Sequence, residues 1–173
     1  SWQGQAPTLD LQLPMSKRDF TTIYLVNKEK AAQSSIRIGK RGLKVDITGE
    51  FYRSSLLNFP LGGNFNSRIN LNLREDKGYT YGASSGFWGD KYAGGFTAGT
   101  SVRADVTDKS IVELVKEIET YKTVGISEAE LKFMRKAVNQ KDVLKYETPG
   151  AKLKFLAQLL EHDLTPDFVQ QRS

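Results

Sequence analysis

Apolar and polar positions alternate with a period of two in three stretches of the chain and recur every three to four residues in most of the rest. Thr21 to Asn27 (TTIYLVN) is rich in β-branched and aromatic residues and reads as a first strand. Lys28 to Ala32 is a polar turn. Gln33 to Arg41 alternates, with Ile36 and Ile38 on one face, and reads as a second strand closed by Gly42. Residues 79–89 and 94–103 predict a long antiparallel hairpin, with Gly89, Asp90, Gly94 and Gly95 around its turn. In its second arm Phe96, Ala98, Thr100 and Val102 share a face, and in its first arm Tyr79 and Tyr81 share one.

The helical periods lie between and after these strands. From about Asp46 to Asp76 the pattern predicts helical segments broken in the middle. Phe51, Leu56, Leu57 and Phe59 form the first apolar face, and Pro60-Leu61-Gly62-Gly63 interrupts it. Phe65, Ile69 and Leu73 then follow at i, i+4 and i+8, one face of a second helix. Ile111, Leu114, Val115 and Ile118 make the stripe of a helix that ends at Gly125. Ser127-Glu128-Ala129-Glu130 is a capping box, with Ile126 placed to staple onto Leu131; Met134 and Val138 continue that helix. Thr148-Pro149 opens another, striped by Leu153, Leu156 and Leu160, and Thr165-Pro166 begins a last one.

The order is β-β-α-β-β-α-α-α. It predicts an α+β domain: a two-layer sandwich of a mainly antiparallel sheet with helices on one face. Residues 1–20, which mix Pro7, Pro14 and Gly4 with isolated apolar residues, read as a linker or arm, and 21–173 as the domain. The last helix starts close to the final residue, so the chain is expected to be a fragment of a longer protein.

Composition narrows the chemistry. At 39% hydrophobic residues the chain can bury a core, which excludes a disordered one. No stretch approaches the roughly 18 apolar residues of a membrane helix. The net charge of +5 comes without a long basic run, so nucleic acid is not an expected partner. The absence of cysteine removes thiolate metal sites and thiol nucleophiles. One histidine, His162, cannot supply a histidine-rich zinc site; at an expected helix end it reads as a cap, not a base.

The densest unusual segment is Leu61 to Gly86. Gly62-Gly63 either breaks a helix or forms a loop touching a peptide or partner. It lacks the spacing of a phosphate loop. Arg74 near a helix end and Tyr81 on the next strand are seven residues apart and could converge. Arginine offers forked donors to carbonyl or carboxylate oxygens, and a tyrosine hydroxyl can donate to an oxyanion. Helix ends also favour cations and strands favour tyrosine, so the residues alone leave a structural role open.

The run Leu61-Gly62-Gly63-Asn64-Phe65-Asn66-Ser67-Arg68, followed by Leu73-Arg74-Glu75-Asp76-Lys77-Gly78-Tyr79-Thr80-Tyr81, resembles the non-zinc half of the pitrilysin–insulinase family of zinc metallopeptidases, which includes the mitochondrial processing peptidase. Gln33-Ser34, then a strand and Gly39, resembles the lead-in. Ile69 stands where leucine is usual. The resemblance covers about residues 21–165. It implies one half of a clamshell with a ferredoxin-like core, whose other half carries zinc on an inverted H-x-x-E-H helix with a glutamate base. It implies that Arg74 orients the substrate backbone, that Tyr81 hydrogen-bonds the substrate carbonyl, and that Gly62, Gly63 and Phe65 lie in the substrate-binding loop.

H-x-x-E-H is absent from this sequence. The chain alone is therefore expected neither to hold catalytic zinc nor to hydrolyse peptides. Its expected partners are a peptide and a zinc-bearing half, in the same polypeptide or in another subunit. The alternative is a non-catalytic structural subunit on the same fold. A periplasmic setting fits the resemblance, and a homodimer of the fragment is a further expectation, since surfaces meant for the other half would be uncovered.

Overall fold

The alternation in Phe96, Ala98, Thr100 and Val102 sets the middle of the sheet. In the computed structural model, which describes Gly4 and residues 20–144 and 147–172, β3 (Gly94–Arg103) is the central strand. β1 (Gln33–Gly42) and β2 (Thr80–Gly89) flank it, both antiparallel, in the order β1-β3-β2. Thr100 lies opposite both Ile36 and Ala83, so one face of all three strands is apolar or small. Ala98 and Val102 are fully buried on that face and Ile36 nearly so. The β2–β3 turn is closed by Asp90, whose side chain accepts from the backbone N–H groups of Tyr92 (2.7 Å) and Ala93 (2.9 Å). These two bonds hold its carboxyl below the usual range.

The helices cover the apolar face. α1 (Glu50–Leu61) starts beside Asp46, whose carboxylate accepts from the N–H groups of Gly49 and Phe51. α2 (Arg68–Asn70) runs straight into a π-helical turn over Leu71–Asp76. Ile69 and Leu73, four apart, are both fully buried. α3 (Thr107–Val124) buries Leu114 and ends at Gly125, whose φ of 74° suits glycine. α4 (Glu128–Leu144) begins with the expected capping box: Ser127 N–H donates to Glu130 (2.8 Å) and Glu130 N–H to the Ser127 hydroxyl (3.3 Å). α5 (Pro149–Glu161) is capped by Thr148, which accepts from Ala151 N–H at 3.2 Å, and ends at His162. The α+β class and the one-sided layering follow the reading from sequence.

Four local expectations fail. Thr21–Asn27 forms no strand: its residues are exposed and irregular, Leu25 at 90% and Val26 at 89%. Residues of high β propensity need a partner strand to become one. Phe65 is not on the helix with Ile69 and Leu73; it lies in the preceding turn, 63% exposed. Tyr79 and Tyr81 do not share a face, because the β2 register shifts between Thr80 and Ala83. The Leu153, Leu156 and Leu160 stripe of α5 is uncovered, and α5 buries no residue. The chain divides into two units, Ser1–Lys30 and Ala31–Ser173. The three strands and the helices named above lie in the second.

Candidate active-site half

Tyr81 owes its position to the bulge at the start of β2. Two residues beyond Thr80 fail to pair, and the strand kinks. Hydroxyls fix the kink: Gly82 N–H donates to Thr80 Oγ1 (3.1 Å), Thr80 Oγ1 lies 2.7 Å from the Ser101 carbonyl, and Thr100 Oγ1 lies 2.9 Å from that of Gly82. The side chain of Tyr81 is thrown outward, 91% exposed. It borders a depression of about 660 Å³ on the uncovered face of the sheet. Among the described residues its hydroxyl has no hydrogen-bond partner, leaving it free to donate to a ligand.

Arg74 is held differently. It sits in the π-helical turn, with its guanidinium 4.3 Å over the ring of Phe65. Nη1 lies 3.1 Å from a Glu75 carboxylate oxygen in an ion pair, yet it is a buried nitrogen with no hydrogen-bond partner. Arg74 does not line the depression that Tyr81 borders, and no hydrogen bond joins the two. Of the expected site residues, Arg74 and Phe65 are in contact, while Tyr81 stands apart.

Gly62 is buried against β2. Its carbonyl accepts from Ser85 N–H at 2.9 Å, and a Cβ there would overlap the Ser85 backbone and hydroxyl. Asn58, also buried, donates to the Ser85 carbonyl (2.8 Å) and accepts from its hydroxyl (2.5 Å). Gly63 is exposed, but a Cβ on it would stand 2.8 Å from Phe59 Cα. Close packing thus gives both glycines a reason of their own.

Sequence reasoning passed over Asn70. Only 3% exposed, it donates to the Phe65 carbonyl (2.7 Å) and accepts from Ala83 N–H (2.9 Å). One side chain therefore fastens the turn that supports Arg74 to the bulge that presents Tyr81. A polar residue beside Ile69 on a buried helical turn was the available signal. Among the described residues there is no cluster of three or more metal-ligating side chains, and the donor set of this chain does not fit zinc.

A family model described as the peptidase M16 inactive domain matches residues 1–138. The chain belongs to that family. It is 26% identical over 152 residues to the uncharacterized zinc protease YmxG of Bacillus subtilis, covering 88% of this chain and 37% of that protein. The peptidase M16 inactive domain thus spans little more than a third of the curated relative it matches. In fold it is similar to the peptidase M16 inactive domain from Pseudomonas fluorescens (TM-score 0.73, 22% identity, 82% of this chain and 34% of that one). It is also similar to a protease from Helicobacter pylori (TM-score 0.73, 17% identity, 84% and 36%). In both alignments this M16 domain again amounts to about a third of the neighbour.

Proposed function

We propose that this M16 domain is the substrate-binding half of a zinc-dependent metalloendopeptidase whose zinc is held by a half outside this chain. Tyr81 donates its hydroxyl to the carbonyl of the bound peptide and stabilises charge that develops on its oxygen. Arg74, braced by Phe65, orients the peptide backbone. Hydrolysis itself belongs to the other half. The observation that carries this reading is the exposed, unpaired hydroxyl of Tyr81 on a braced bulge, seven residues after Arg74 in the family segment. Braced donors are useful for oxyanions because they need no reorganisation when charge appears. The seating of Arg74 on Phe65, outside the depression, favours a second reading, a scaffold half in which Arg74 is structural.

Replacement of Tyr81 by phenylalanine in the assembled enzyme separates the two. The catalytic reading expects kcat to fall about 10²-fold with the fold intact. A change below about threefold would assign the domain to the scaffold role.

A further inference from the structure

On the uncovered face of the sheet, two long side chains lie flat on glycines of β3. A Cβ on Gly95 would stand 2.7 Å from Trp88 Cζ2, and one on Gly99 would stand 2.7 Å from Arg37 Cδ. The register explains the match: Trp88 is opposite Gly95, and Arg37 is opposite Gly99. Trp88 is fixed by its indole N–H, which donates to Thr97 Oγ1 at 3.0 Å. Arg37 Nη1 donates to the Ile36 carbonyl at 2.8 Å.

Between them the floor is small. Ser84, Gly86, Thr97, Gly99 and Ser101 border the same depression as Tyr81, and none is larger than threonine. Its volume of about 660 Å³ is that of a ligand cleft, which typically spans roughly 300–1,000 Å³. The lining contains one cation, Arg37, and no aspartate or glutamate. None of the ion pairs among the described residues involves Arg37. Nη1 also reaches the Thr100 carbonyl at 3.5 Å, so the Nε and Nη2 donors are the ones left for a ligand, in a lining with nothing of opposite charge.

We infer that this groove is a subsite for an extended peptide that sets a carboxylate against Arg37 and an apolar side chain along Trp88. A flat floor of small residues admits a peptide backbone, and the lone cation selects its charge. The inference rests on the peptide-binding reading above and adds a preference to it. The carboxylate can come from an acidic side chain or from the end of a peptide.

The test is fluorescence anisotropy with three labelled peptides of otherwise identical sequence. One carries a glutamate and an amidated end, one a glutamine and an amidated end, and one a glutamine and a free carboxylate end. At low salt, at least one carboxylate peptide should bind the 173-residue chain about fivefold more tightly than the neutral one. Which one does so identifies the source. Arg37→Gln should erase the preference, while Lys109→Gln, which removes an exposed cation of α3 outside the groove, should leave it. The ratio on the wild-type chain needs no variant: in about 1 M salt it should fall toward one. Equal binding of all three peptides, or a preference that survives Arg37→Gln, would overturn the charge subsite and leave the Tyr81 reading standing. Failure of all three to bind would also overturn the subsite; the kinetics of Tyr81→Phe on the assembled enzyme then judge the Tyr81 reading separately.

Discussion

Arg68 and Glu130 form a forked ion pair, with Nε 2.5 Å from Oε1 and Nη2 2.7 Å from Oε2. It ties α2 to the first turn of α4. Nη2 also donates to the Gly125 carbonyl at 2.9 Å, and the guanidinium lies 4.7 Å over the ring of Tyr121. Tyr121 in turn donates to the Leu57 carbonyl at 2.7 Å. Three helices therefore meet at one arginine, and Tyr121 extends the link to α1. The pair is about a fifth exposed, and its two parallel bonds give it better geometry than a loose surface pair.

This pair makes stability depend on pH. The hydrogen bond from Arg68, and the bonds from Ser127, hold Glu130 at about 2 against the opposing effect of burial. A carboxylate with a depressed folded pKa stabilises fully above its unfolded value of about 4.3 and loses that contribution as pH falls toward the folded one. Glu130→Gln should cost about 1 kcal/mol at neutral pH, discounted for partial exposure. Urea titrations should show this gap closing between about pH 5 and pH 2. A gap that stays constant over that range would remove the ion pair as its cause.

Two glycines that look alike in sequence should behave oppositely. Gly62→Ala forces a methyl group into Ser85, so the Gly62–Ser85 contact must open. The expected loss is about 2–3 kcal/mol, read as a drop in thermal midpoint. Gly86→Ala meets nothing within 4 Å and should change stability by less than about 0.5 kcal/mol. Equal effects would mean that contact with β2 is not why Gly62 is glycine.

If Phe65 braces Arg74, their mutations should not add. On the proposed reading, Phe65→Ala and Arg74→Ala should each lower peptide turnover in the assembled enzyme, and the double variant should lose less than both together. The coupling expected of a stacked cation is about 0.5–1 kcal/mol. Additive losses would separate the two roles. Zinc content should stay at the wild-type level in all three variants.

Elements were legible where local rules and tertiary context agreed. The capping box at Ser127–Glu130, the Gly125 stop and the Phe96–Val102 face depend on neighbours a few residues away, and all formed. Thr21–Asn27 failed because strand propensity is only realised against a partner. Phe65 failed because the i, i+4, i+8 count ran through a turn that ends before Arg68. The candidate site was half legible. The segment that names the family singled out Arg74 and Tyr81, but the bulge between Thr80 and Ala83 breaks the very alternation used to orient Tyr81. Arg37, Trp88 and Asn70 carry no motif; they matter through cross-strand neighbours that only the register reveals.

The strand order also sets how the sheet is assembled in time. β2 and β3 meet across the short Asp90–Ala93 turn, so their zipping is local and fast. β1 reaches β3 only after α1, α2 and all of β2 have been spooled between them, and it has no other strand to pair with among the described residues. Closing that long loop carries an entropy cost that no early contact offsets. The late step in folding should therefore be the arrival of β1, the strand that brings Arg37 to the groove.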